Sequence, residues 1–156
     1  MGIAAQAQKI AYVQSDVILK QLPEAIQADT ILKQLGTQWQ DTLLNFQKQI
    51  QEKSKQLDGP INDDAKQKLR ADIDQLQQQG VAYQSDKFGQ TGAYAQKQEE
   101  LLAPIRDKVK KAIQDVASAD SIDIVFDRAS QVQDILYASD KLDITFQVLD
   151  RIKRGK

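Results

Sequence analysis

The hydrophobic period of the chain changes from extended to helical and back. Lys9 to Gln14 (Lys-Ile-Ala-Tyr-Val-Gln) is β-branched and aromatic, which suits a short strand, and Ser15-Asp16 offers an N-cap for a short helix through Leu22. From Pro23, a good first helical residue, apolar positions recur at Ala28, Leu32, Leu35, Trp39, Leu43, Phe46, Ile50 and Leu57. Steps of three, four and seven put them on one stripe of one long helix. Lys53 and Lys55 near its end and Gly59-Pro60 beyond it stop the helix. Asn62-Asp63-Asp64 then starts a second helix, expected to run from Asp63 to Ala119. Its stripe is Ala65, Leu69, Ile73, Leu76, Gly80 and Tyr83, weakening from Lys87 to Tyr94 and resuming as Leu101, Ile105, Val109, Ile113 and Val116.

So short a link requires an antiparallel hairpin. With Asp58 opposite Asp63, Gly80 is expected beside Trp39, where its missing side chain makes room for the indole, and the first helix is used up near Gln98. Gly89 and Gly92 each cost about 1 kcal/mol of helix propensity relative to Ala, so the arm is expected to bend there. Pro104 should either kink the returning helix or be absorbed by its packing.

Beyond Asp120 the pattern is extended again. Ile122 to Phe126 and Ile135 to Ala138 read as short strands on either side of a polar turn from Ser130 to Asp134. A last helix, expected to be capped by Thr145, turns Val148, Leu149 and Ile152 inward and ends with Lys153 and Arg154. The fold class is therefore α+β: a small β-rich body from residues 8–22 and 99–156, carrying a long antiparallel coiled-coil hairpin over 23–98 with its tip at 59–62. Residues 1–7 read as a signal-peptide remnant or a tail, because Ala5-Gln6-Ala7 has the small-x-small form of a signal-peptidase site.

Such a body is too small to be stable alone without a staple, and the chain has no Cys. Joining open strand edges from several copies would enlarge its core, so an oligomer is expected. The surfaces concerned are Ile10, Tyr12, Val13, Ile122, Ile124, Val125, Phe126, Leu136 and Tyr137.

Composition narrows the chemistry. The absence of both Cys and His removes thiol nucleophiles, Cys/His zinc sites and imidazole acid-base catalysis. Asp63-Asp64 and Glu99-Glu100 are better read as a helix start and a solvated turn than as catalytic carboxylates, so no enzyme is expected. A net charge of −1 argues against nucleic acid as partner. No apolar run is long enough to span a bilayer. There are 25 Gln in 156 residues, concentrated between Gln38 and Gln98, and they make a polar helix surface without strong charge.

The order strand, long helical hairpin, strand, strand, helix resembles the Skp family of periplasmic chaperones, also called OmpH-like proteins. Local matches are Lys9-Ile10-Ala11-Tyr12-Val13, Leu101-Leu102-Ala103-Pro104-Ile105 with Lys108 and Ala112-Ile113, Ile122-Asp123-Ile124-Val125-Phe126-Asp127, Leu136-Tyr137, and Leu142-Asp143-Ile144-Thr145 with Val148-Leu149. The resemblance implies a jellyfish-shaped homotrimer in the periplasm, with three arms around a cavity that holds unfolded outer-membrane β-barrel proteins. It implies no cofactor or nucleotide, and the sequence has no G-x-x-x-x-G-K-[ST] phosphate loop. Many relatives are strongly basic, with positive arm tips. This chain is near neutral and its tip mixes Lys53, Lys55, Lys66 and Lys68 with Asp58, Asp63, Asp64 and Asp72, which weakens the case for lipopolysaccharide binding.

A holding chaperone needs modest apolar surface spread widely, since many weak contacts retain a client that one deep pocket would select by sequence. Leu35, Trp39, Leu43, Phe46, Ile50, Leu69, Ile73, Leu76, Gly80 and Tyr83 lie on the seam stripe and are read as packing. Val81, Phe88, Ala95 and Leu102 recur every seven residues off that seam, with Leu44 similarly displaced on the first helix. Leu44, Val81 and Phe88 are the candidate client contacts, packing against the base being the other reading. A coiled-coil spacer or tether is the alternative function. Deleting most of the hairpin would then change only reach.

Overall fold

A computed structural model describes residues 8–129 and 135–155. The chain is mostly helical, with β1 (Ile10–Val13), α1 (Ser15–Gln21), α2 (Pro23–Leu57), α3 (Asp63–Phe88), α4 (Ala93–Ala119), β2 (Ile124–Asp127), a 3₁₀ turn (Asp140–Leu142) and α5 (Thr145–Arg154). It divides into two compact units, residues 1–28 with 101–156 and residues 29–100, here called the body and the hairpin. The Ala5-Gln6-Ala7 triplet and the turn from Ser130 to Asp134 lie outside the described residues.

In the body, β1 and β2 form a parallel pair in which Ile10 faces Ile124, Ala11 faces Val125, Tyr12 faces Phe126 and Val13 faces Asp127. On its other side β1 makes an isolated parallel bridge from Tyr12 to Asp143, with the Ile144 amide donating to the Tyr12 carbonyl at 3.0 Å. A central strand with both edges occupied buries its side chains: Ala11, Tyr12 and Val13 are all inside. Around them close Ile18 of α1, Leu22, Ala25 and Ala28 at the start of α2, the stripe Ile105, Val109, Ala112 and Val116 of α4, and Ile144, Val148, Leu149 and Ile152 around α5. The α4 and α5 sets follow helical spacing, so each helix gives one face to this core. Pro104 is accommodated inside the continuous helix α4, on an exposed position.

The body differs from expectation at several points. It is helix-dominated rather than β-rich. Ile135 to Ala138 is not a strand, and Leu136 and Tyr137 are 98% and 85% exposed. An apolar run becomes a strand only by bonding to a neighbour, and no described residue pairs with it. Ser15 is the first residue of α1 rather than its cap, and no side chain caps Gln14. Nor does Thr145 cap α5. It is the first helical residue, and the carboxylate of Asp143 accepts from the Thr145 amide at 2.9 Å. α4 ends with Ser121 at φ 52° and the Ile122 amide donating to the Ala117 carbonyl at 2.8 Å. This is a left-handed helix terminator built on serine where glycine is usual.

In the hairpin, Trp39, Phe46 and Lys53 meet Phe88, Tyr83 and Asp72, so α2 and α3 run antiparallel. Asn62 accepts from the Ala65 amide at 2.8 Å and caps α3. The register differs from the expected one by about one helical turn. A Cβ on Gly80 would meet Phe46 at 3.8 Å, not Trp39. At the tip, Ala65 and Leu69 line an open groove together with Gln56 and Ile61.

The bend expected at Gly89 and Gly92 is a complete break in the second long helix. It stops at Phe88 and restarts at Ala93. The break is tight: the Gly89 amide donates to Ser85 and the Gly92 amide to Gly89, each at 2.9 Å. A Cβ on Gly89 would sit 2.4 Å from the Ser85 carbonyl oxygen, and one on Gly92 2.8 Å from that of Asp86. The two glycines are thus required by close backbone approach, in addition to lowering helix propensity.

Candidate functional site

The hairpin has no enclosed core. Every seam residue from Leu35 to Tyr83 that the stripe identifies is half-buried, and α3 has no buried residue. Two helices cover only one side of each other, so the stripe keeps solvent on both flanks. Leu44 and Val81 lie further out, 59% and 69% exposed.

Phe88 behaves otherwise than its off-seam spacing suggests. It is half-buried, its ring 5.9 Å from Trp39 in an edge-to-face arrangement and 6.2 Å from Tyr94. α3 ends at this residue, and the chain turn at Gly89 to Gly92 brings Tyr94 alongside, 6.4 Å from Trp39. The ammonium of Lys87 stands 5.5 Å from the Trp39 ring centroid and 5.6 Å from that of Tyr83, a cation over two aromatic faces. Its hydrogen bond to Asp86 holds its pKa above the ordinary lysine value. Phe46 and Tyr83 form a second edge-to-face pair at 6.0 Å. The candidates Leu44 and Val81 therefore stand apart from Phe88, which joins an aromatic cluster. Sequence reasoning missed Tyr94 and Lys87 because both fall where the stripe weakens.

Electrostatics on the hairpin are modest. Lys53 and Asp72 pair at 2.7 Å, and that hydrogen bond holds the Asp72 carboxyl below its ordinary value. Lys33 with Asp29, Lys48 with Glu52, Lys87 with Asp86 and Lys97 with Glu100 also pair, each within one helix and individually worth little.

In the body, Ile10, Ile124 and Phe126 are exposed although they sit on the paired strands. Tyr12 and Val13 instead belong to the interior, and Ile122 and Val125 are half-buried against it. Leu136 and Tyr137 are exposed as well, so the surface members of this set leave apolar side chains of the body uncovered. The joint below is polar and closed. Asp143 accepts from Thr145 and from the Gln14 side-chain amide at 2.9 Å, while Thr145 Oγ1 accepts from the Gln14 backbone amide at 2.9 Å. Burial pushes the Asp143 carboxyl up, but the Thr145 and Gln14 hydrogen bonds and the nearby Arg128 charge outweigh it, leaving the pKa below its ordinary 3.8. Glu24 pairs with Lys108, which lowers its carboxyl likewise.

Among the described residues no group of three or more His, Cys, Asp or Glu side chains is placed to hold a metal, and no helix is long and apolar enough to cross a membrane. What the surface offers instead is dispersed apolar side chains on a helical hairpin and around an uncovered strand, the features of a protein that binds other chains.

The relatives fit that class. The chain belongs to the family described as outer membrane protein (OmpH-like), whose family model matches residues 9–152. Its fold is similar to the crystal structure of a Caulobacter crescentus CB15 protein provisionally described as an OmpH-like outer membrane chaperone. The TM-score is 0.72 at 17% identity, over 100% of this chain and 90% of that one. No curated protein matches the sequence.

Proposed function

We propose that the protein is an ATP-independent periplasmic holding chaperone, which keeps unfolded outer-membrane β-barrel proteins from aggregating inside a space bounded by helical hairpins. The observation that carries this reading is the half-exposed apolar stripe of the hairpin, extended outward by Leu44 and Val81, on helices that offer a client no free strand edge. Many weak contacts of this kind retain a client without selecting its sequence. The description of the Caulobacter crescentus relative as an outer membrane chaperone supports the same reading.

Three copies are proposed to join through the body. Ile10, Ile124, Phe126, Leu136 and Tyr137 are the apolar surface such an assembly would cover. The near-neutral charge disfavours lipopolysaccharide as a ligand and disfavours capture of clients by charge alone. The test is dilution of an unfolded barrel protein from urea into about one equivalent of the assembled protein, without nucleotide. Suppressed light scattering and a complex that survives gel filtration are expected; unimpeded aggregation overturns the proposal. Light scattering on the protein alone gives the copy number.

A further inference from the structure

Charge is unevenly placed in the body. Residues 106–111 of α4 carry a net charge of +3 and residues 150–154 of α5 a net +2, in a chain whose net charge is −1. The two basic stretches meet across one groove of about 440 Å³, lined by Lys108, Lys111, Ala112 and Asp115 from α4 and by Arg151, Ile152 and Gly155 at the end of α5. Successive α4 members lie within one helical turn of each other, so they share one face of that helix. Ala112 and Ile152 are buried and give the groove apolar ground, while Lys108, Lys111 and Arg151 keep their charged ends in reach of solvent around it.

The ion pairs present leave this groove short of anions. Asp115 lies four positions after Lys111, the spacing of a helical ion pair, but its carboxylate accepts instead from Arg151 Nε at 3.2 Å and Nη2 at 3.1 Å. Lys111 is left without an ionic partner among the described residues. A guanidinium has five N–H donors, so Arg151 retains those of Nη1 for a second acceptor. Lys108 pairs with Glu24 of α2, which is not part of the groove wall. Lys153 and Arg154 stand in the last turn of α5 and offset the negative end of that helix, which would otherwise oppose an anion.

We propose that the groove between α4 and α5 docks an acidic segment of a partner protein, one in which a carboxylate lies beside an apolar side chain. The carboxylate meets the ammonium of Lys111 and the free edge of Arg151, and the apolar side chain covers Ala112 and Ile152. A carboxylate matches the planar guanidinium in geometry. A phosphate fits less well, because Asp115 in the groove wall repels a doubly charged group more strongly than a singly charged one. The inference concerns the body and is independent of what the hairpin holds.

The test is fluorescence anisotropy of a labelled peptide of alternating leucine and glutamate, added to the assembled full chain at low salt. Binding is expected, with counterparts of leucine and lysine or of serine and glutamate at least about tenfold weaker. Lys111→Glu should weaken the peptide about tenfold and Lys111→Gln, which adds no repulsion, about threefold. Lys55→Glu, the same charge change on an exposed site of the hairpin, should alter binding less than about twofold. Inorganic phosphate should displace the peptide no better than sodium chloride of equal ionic strength, and vesicles of anionic lipid should bind the unaltered protein and Lys111→Glu alike. No binding of the peptide, an equal loss from Lys55→Glu, specific displacement by phosphate or vesicle binding that depends on Lys111 would each overturn the inference. A protein that binds the peptide in this way but fails to suppress aggregation overturns only the chaperone reading.

Discussion

The body and the hairpin solve the same problem in opposite ways. The body gathers short pieces distant in sequence around β1, which has partners on both edges, and buries Ile18 and Val148 completely. The hairpin uses a few dozen contiguous residues per helix to cover one stripe, and of its large side chains only Leu32 is buried. A closed core derives stability from a few fully desolvated side chains, while an open stripe spreads it over many half-covered ones. The first arrangement is sensitive to single changes. The second tolerates them and keeps apolar surface available to other chains.

The sharpest way to break this comparison is truncation on each side of it. Ile18→Ala should cost about 2–4 kcal/mol in urea denaturation at fixed protein concentration, and Leu43→Ala about 1 kcal/mol, because Leu43 is only partly buried. Equal costs would mean that the hairpin seam is buried in solution.

The glycines give the next largest contrast. Gly89→Ala should destabilise the hairpin by about 1–3 kcal/mol, since its Cβ meets the Ser85 carbonyl at 2.4 Å. Faster amide exchange around Ser85 to Tyr94 would report it. Gly80→Ala, whose Cβ meets Phe46 at an ordinary 3.8 Å, should instead stabilise α3 by about 0.5–1 kcal/mol.

Acid should act through the body. Asp143 has a folded pKa below its ordinary 3.8, so its stabilising contribution is complete above that value and is lost as pH falls through the folded one. Asp143→Asn should cost about 1–2 kcal/mol at neutral pH and flatten the acid limb of the stability profile below pH about 4. An unchanged acid limb would remove Asp143 from the joint. The smallest effect is expected at Lys53 and Asp72. Lys53→Gln should leave the thermal midpoint essentially where it was and remove only a weak salt dependence.

Much of this architecture was legible in local pattern. The stripe from Ala28 to Leu57 ends at Leu57, Asn62 caps α3, and Ile105, Val109 and Val116 enter the core at the spacing the residues predict. These features depend on neighbours three or four positions away. Leu44 and Val81 were legible as well, because displacement from a stripe is also a local property.

Contacts between distant segments were not legible in this way. The apolar run at Leu136-Tyr137 satisfies the strand pattern and yet pairs with no described residue, since a ladder requires a partner that sequence spacing does not supply. Phe88 has the spacing of a surface residue, but the chain turn at Gly89 to Gly92 lets it pack on Trp39 and Tyr94. By itself, then, the sequence determined where helices form, where they stop and which side of each is apolar, because these follow from backbone propensity and a repeat of 3.6 residues. Only the tertiary structure decided the register between α2 and α3 and the parallel pairing of β1 with β2. Each of these is set by how side chains from remote segments fit together in space.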